Sequence, residues 1–245
     1  QGQHANMRQL GENIVLVFGG RTEMQAGGQR AGRRVRLTYR DIRDIRAECW
    51  RVRYAVGEMQ NTARAVSAHN SGSFTVNGVE PLYSRIRTIP VSAGRFLAAT
   101  DNEGARRVCV LGDNVRKQLF GDRPGVVGAQ VAINGLPFAV VGVMPSKKQN
   151  SSYNGMDVDK IYIPYTTLVR DLPPADASFQ PGIVNNIIYV PRSLAEWKPA
   201  REQVMRVLAR NHDFHPRDPG AVHIWDTVEQ AELFDGVFLS MTAFL

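Results

Sequence analysis

Strand-helix-strand patterns stand at both ends of the chain and flank a middle dominated by strand patterns, which narrows the possible folds more than any other feature. ENIVLVF (12–18) is a short apolar run that reads as a strand, and residues 19–34, rich in Gly, Gln and Arg, read as a mobile loop. LTYRDIRDIRAEC follows, with Thr38 as N-cap and Ile42, Ile45 and Cys49 recurring at helical spacing, before a strand pattern in VRYAVGEM. Near the other end NNIIYVP reads as a strand, and AEWKPAREQVMRVLARN as a helix with Val204, Val207 and Leu208 inward. AVHIWD reads as a closing strand. The fold class expected is α+β. One subdomain is built from β-α-β units at both chain ends (1–72 and 171–245), and a β-rich subdomain (73–170) is inserted between them.

Within the middle, TARAVSAHN and SFTVNGVE read as two strands joined through Asn70-Ser71-Gly72, and RVCVLG as a buried strand. DNVRKQLFG reads as a short helix capped by Asp113 or Asn114 and stopped by Gly121. In AQVAINGLPFAVVGVM the Asn134-Gly135 pair lies between Val131, Ile133 and Phe138, Val140. Both residue types tolerate positive φ, so a two-residue hairpin is predicted there. SKKQNSSYNGMDVDK (146–160) reads as a polar loop in which Asp157 and Asp159 are solvated. IYIPY is a strand ended by Pro164, and the proline-bearing 171–182 is a connector.

The chemistry is sparse. There is no GxxxxGK[ST] to cradle a phosphate, no GxGxxG after a strand, no GxSxG and no HExxH. No catalytic or cofactor-binding residue is assigned, and no cofactor is expected. His212, Asp213 and His215 are the weak candidates for a metal, with Asp218 and His223 nearby, but Pro216 breaks the helix that would align them. Cys49 and Cys109 belong to no metal-ligand spacing and read as core thiols, with a bridge between them left open. The net charge of +7 comes largely from nine arginines between Arg30 and Arg53. Interleaved Asp41, Asp44 and Glu48 and an Arg40–Asp44 i,i+4 pair favour a solvated helix face. No aromatic residues alternate with the arginines as nucleic-acid binding would need. The uncharged GVFLSMTAFL (236–245) is too short to span a bilayer; it reads either as an amphipathic end docked on the core or as the first turns of a spanning helix.

An ordered series of short motifs resembles the MacB-like periplasmic core domain of ABC-transporter permeases. It runs through Gly78, Pro81 and Tyr83; Gly94, Arg95 and Phe96; Asp101; Leu111 and Gly112; Leu119, Phe120 and Gly121; Gly128; Ile133 with the Asn134-Gly135 turn; Val140 to Val143, including Gly142; and Pro164 in IYIPYTTL. Gly94 and Gly121 read as tight backbone turns and Phe96 and Phe120 as core anchors, with Arg95 expected to pair with Asp101 or Asp113. The resemblance implies a non-enzymatic domain on the periplasmic or extracellular face of a bacterial inner membrane, lying between the first two of four membrane helices. It implies a porter-like αβ subdomain and an inserted sabre-like one, and it makes the 236–245 run the start of a membrane helix. The implied partners are a cytoplasmic ABC nucleotide-binding domain, a second permease copy in a homo- or heterodimer, and a periplasmic adaptor; nucleic acid is not among them. Two other functions remain open at this level: a ligand-sensing permease domain, and a secreted metal-dependent enzyme using His212, Asp213 and His215.

Overall fold

The computed structural model describes residues 13–149, 153–227 and 229. It is a mixed α+β fold with a large mixed sheet. The chain divides into two compact units, Gln1–Gly57 with Val184–Leu245, and Glu58–Ile183. The crossings between these units fall at 57/58 and 183/184, where the pattern of strands and helices had suggested 72/73 and 170/171. The reason is that VRYAVGEM and TARAVSAHN are one strand, β2 (Val52–Val66), which carries the chain from the first unit into the second.

In the first unit, β1 (Val15–Gly19) pairs antiparallel with both β9 (Asn186–Pro191) and β10 (Val222–Asp226). The order is β10-β1-β9-β2. With helix α1 (Tyr39–Glu48) between β1 and β2, and α6 (Trp197–His212) between β9 and β10, this is a split β-α-β-β-α-β arrangement. Val15, Leu16 and Val17 have no exposed surface, and strands border both edges of β1. The inward stripes are those the helical period predicts: Ile42, Ile45 and Cys49 on α1, Val204, Val207 and Leu208 on α6. Asp41 accepts the Thr38 backbone N–H at 2.8 Å and so closes the first turn of α1. The segment expected to be a mobile loop after β1 is an ordered hairpin-like excursion. Thr22 N–H donates to Arg33 O and Gln29 N–H to Ala26 O, both at 2.9 Å. Buried Asp218 takes the Glu23 and Met24 N–H groups at 3.0 and 2.9 Å.

In the second unit β3 (Ser71–Val79) pairs antiparallel with β2 and parallel with β8 (Lys160–Pro164). β5 (Val108–Leu111) lies antiparallel to β8 and parallel to β7 (Leu136–Val143). β6 (Gln130–Ile133) pairs with β7 and returns to β2 through Ala65↔Ile133 and Val66↔Ala132. The path β2-β3-β8-β5-β7-β6 thus closes on itself as a six-stranded barrel, which leaves these strands no open edge between them. The predicted Asn134-Gly135 hairpin makes the closing corner, with φ of 46° and 80°. The two-residue β4 (Ala93–Gly94) runs beside β7.

Among the described residues four α-helices and a 3-10 turn (Asp157–Asp159) decorate this unit. α4 (Asp113–Phe120) matches its prediction, but its N-cap is Gly112 and not Asp113 or Asn114. Asp113 sits in the first turn, paired with Arg116 and Lys117 at 3.0 and 2.7 Å. The short α2 (Tyr83–Ile86) and α3 (Ala99–Glu103) carry too few residues to show a period, and α5 (Tyr165–Asp171) fills the stretch between Pro164 and the 171–182 connector, for which no element was expected. Pro164 ends β8 and serves as the N-cap of α5, so one residue performs both tasks. Cys49 and Cys109 are buried, unbridged thiols, one in each unit, and burial pushes them up to about 11 and about 12. The 236–245 run lies outside the described residues, and no described helix is long and apolar enough to cross a membrane.

Candidate functional site

The family-motif residues are tied into the second unit by backbone geometry and by charge. Gly94 has φ of 72°, and a Cβ there would lie 2.1 Å from Val141 O, so β4 approaches β7 only with glycine at this point. Gly78, Gly112 and Gly142 likewise mark close approaches, to Leu168, Val158 and Arg95. Of the two partners open to Arg95, the structure selects Asp101, at 2.6 and 3.3 Å through the two terminal guanidinium nitrogens. Asp101 is fully buried at the start of α3 and accepts the Ala98 N–H at 2.8 Å. Burial alone would raise its carboxyl, but Arg95 and that N–H hold it below the usual carboxylate range. Phe120 is buried, as expected of a core anchor, whereas Phe96 is only half-buried and rests 5.9 Å from the Tyr162 ring.

Behind these motifs lies a buried charged cluster that the sequence did not show. Glu58, Asn77, Arg87 and Asp157 have no exposed surface and Lys160 has 1%. Arg87 donates to Asp157 at 3.1 Å and to Tyr153 Oη at 3.0 Å. Lys147 reaches the other Asp157 oxygen at 2.9 Å, and Gln149 accepts the Asp157 N–H at 2.9 Å. Asn77 bridges Glu58 and Tyr83 at 3.0 and 3.3 Å, and Asn154 joins Glu58 to Lys160 at 3.2 and 2.5 Å. Asp157 is thus not the solvated acid expected of a polar loop. Asp159 does stay near the surface, bonded to Asn114 at 2.6 Å.

Burial pushes Lys160 down to about 8, with Glu58 and Asp157 opposing that shift. The same burial holds the Tyr83, Tyr153 and Tyr162 hydroxyls well above their ordinary range. Three cations face two carboxylates here, and each group is fixed by hydrogen bonds. The cluster clamps the segment before β8 to β2, β3 and α2. Its signal in sequence was faint: an Arg, two Lys and a Glu scattered over a hundred residues, each of a type usually exposed.

The metal candidates are not brought together. His212 Nε2 is 2.8 Å from Asp41, Asp213 takes the left-handed C-cap of α6 at φ 52°, and His215 Nδ1 accepts the Arg217 N–H at 3.1 Å. Among the described residues no three His, Cys, Asp or Glu side chains are grouped as metal ligands. The first unit carries an open cavity of about 540 Å³ between α6 and the turn before β10, lined by Trp197, Lys198, Arg201, Met205, Arg217 and Glu229.

Comparison with known proteins agrees with the motif series. The MacB-like periplasmic core domain profile matches residues 1–207. The macrolide export ATP-binding/permease protein MacB of Chlorobium luteolum is 26% identical over 239 residues, 98% of this chain and 34% of the relative. The pyoverdine export ATP-binding/permease protein PvdT of Pseudomonas syringae pv. tomato is 30% identical over 163 residues, 66% of this chain and 24% of the relative. The chain thus spans between about a quarter and a third of these relatives. The periplasmic region of MacB from Actinobacillus actinomycetemcomitans superposes with a TM-score of 0.72 at 17% identity, covering 96% of this chain and 98% of that one. The extracellular domain of the noncanonic ABC-type transporter YknZ from Gram-positive bacteria gives 0.68 at 19%, covering 87% and 100%. At these identities the likeness is one of fold.

Two outcomes follow from the charged cluster. Arg87→Met leaves Asp157 buried with only its lysines, and lowers unfolding free energy by about 3 kcal/mol. Combined with Asp157→Leu, the effects are non-additive in a denaturant double-mutant cycle; additivity within about 0.5 kcal/mol would show the pair to be uncoupled. Lys160 binds its proton less tightly folded than unfolded, so between about 8 and its ordinary 10.5 the unfolded chain holds more protons. Its charge-burial cost is fully present below pH 8 and is relieved as pH rises, so this group adds stability with increasing pH. Subtracting the pH profile of Lys160→Met from that of the parent isolates the rise over pH 8 to 10; a flat difference contradicts it.

Proposed function

The chain belongs to the MacB-like periplasmic core domain family, and from that premise we propose that it is the extracytoplasmic domain of an ABC-transporter permease and works as a mechanical and binding module. ATP hydrolysed on the cytoplasmic side moves membrane helices of the same polypeptide. The domain passes that motion to a substrate or an adaptor protein outside the inner membrane and performs no catalytic step itself. The ATPase is a separate domain, fused or associated, as the ATP-binding/permease names of the relatives say of those proteins. In this reading the first unit is the porter-like subdomain, the second is the sabre-like insertion, and two permease copies act as a dimer.

The observation that carries the reading is the junction of the two chain arms. Thr227 donates to Ile14 O from its hydroxyl at 2.8 Å and from its N–H at 3.3 Å, so segments more than two hundred residues apart leave the sheet side by side. A domain inserted between two neighbouring membrane helices needs that geometry, because its two connections must return to nearly the same place on the bilayer. The split β-α-β-β-α-β order supplies it by placing β1 between the last two strands. A displacement of the helices then reaches both arms of one hydrogen-bonded sheet.

The test uses the full-length permease in nanodiscs with its ATPase, spin-labelled at Glu103→Cys, an exposed position on α3. Distances between the two copies are measured by pulsed dipolar spectroscopy without nucleotide and with ADP-vanadate. The expected result is a nucleotide-dependent shift in the distance distribution. Identical distributions in both states, in a preparation that hydrolyses ATP, would overturn the proposal.

A further inference from the structure

Strand register collects an unusual set of side chains at one end of the first unit. Val15 lies opposite both Tyr189 and Asp226, and the Arg192 N–H donates to Arg51 O at 2.8 Å. The Trp50–Arg51 turn, Arg192 and the turn from Leu194 into α6 are therefore at the end of the sheet where β1 begins and β10 finishes. The two most exposed large apolar side chains among the described residues, Leu194 at 57% and Trp50 at 58%, both sit here. Water-facing surfaces rarely place a tryptophan and a leucine so openly on adjoining turns without a use for them.

The charge around them is one-sided. Arg51 lies over the Trp50 ring, 4.0 Å from its centroid, and is matched by Glu196 at 3.2 Å. Glu229 is matched by Arg201 at 3.3 Å. Arg53, Arg192 and Lys198 are exposed and have no carboxylate partner among the described residues. An exposed indole suits the depth of lipid headgroups, where its apolar ring and N–H are both satisfied. Arginine and lysine stems lie along apolar surface while their charged ends reach phosphate. Cations left over after internal pairing favour an anionic bilayer over a neutral one.

We propose that this end of the first unit docks on the outer surface of a bilayer containing anionic phospholipid. Trp50 and Leu194 sit at headgroup depth, and Arg53, Arg192 and Lys198 rest on lipid phosphates. The proposal builds on the reading of the chain as a permease's outer domain and names the surface that meets lipid. The contact would brace the porter-like unit against the membrane, so that helix motion turns it about a supported edge.

The test uses this chain with Trp197→Phe and Trp225→Phe, leaving Trp50 as its one indole, and vesicles of phosphatidylethanolamine and phosphatidylglycerol with brominated acyl chains. The uncharged 236–245 run is present in every variant, so differences report the proposed surface. Trp50 fluorescence is expected to shift blue and be quenched. Trp50→Ser and Leu194→Ser should each weaken co-sedimentation, and Arg192→Gln and Lys198→Gln should each weaken it about fivefold. If the tryptophan replacements impair folding, a fluorophore on Leu194→Cys reports the same depth, because Cys49 and Cys109 are buried. Failure to co-sediment, co-sedimentation without quenching, or equal binding to phosphatidylcholine vesicles would each overturn the proposal. None of these outcomes bears on the nucleotide-driven distance change, so the two readings fail separately.

Discussion

The architecture depends on where β1 lies. It lies between β9 and β10 with Val15, Leu16 and Val17 fully buried, and its partners are supplied by the far end of the chain. Its apolar side chains cannot be covered, nor its backbone groups paired, until the second unit's residues have been traversed. The first unit therefore carries a large loop-closure cost, offset by the burial of Val15, Leu16, Val17, Ile187 and Ile188. The same constraint joins the two chain arms through Thr227 and Ile14. A single topological choice thus yields both the hydrophobic core of this unit and the paired exits that a membrane-carried domain needs.

The second unit meets a different demand. Its strands close into a ring through the short β2–β6 contact, and its polar segment before β8 is held by buried charge. Buried ion pairs seldom add much net stability, since desolvation offsets the attraction, but they penalise every arrangement that leaves one charge alone. Arg87, Asp157, Lys147, Lys160 and Glu58 therefore act chiefly on specificity. They permit one placement of that segment against α2 and the sheet. The Arg95–Asp101 pair does the same for α3 on a smaller scale, with one partner buried and the other half in solvent.

Local signals were legible where local chemistry decides the outcome. Asn134-Gly135 fixed its hairpin because few other residue pairs accept two positive φ values, and α1 and α6 followed from their apolar period. The 19–34 segment looked mobile because glycine and arginine were read without Asp218, the distant carboxylate that receives its amides. β2 looked like two strands because polar Gln60 and Asn61 interrupt its pattern. The charged cluster was hidden because Asp157 and Lys160 resemble any solvated loop residues until Arg87 and Glu58 are folded onto them. The motif series read from the sequence identified the family through its scaffold glycines and turns. The lipid-facing end could not be read that way, since only the fold, through the Arg192–Arg51 backbone hydrogen bond, brings the turns that carry Trp50 and Leu194 together.

The central claim is that β1 binds the two chain arms into one cooperative sheet. Native-state hydrogen exchange across a denaturant series measures this directly at the amides of Val15–Gly19, Asn186–Tyr189 and Val222–Asp226. The account predicts that the hydrogen-bonded amides of all three strands open with a common free energy and a common denaturant slope, as one unit. A β10 that opens with its own, smaller slope while β1 and β9 stay protected would show that the arms are not joined, and would contradict it.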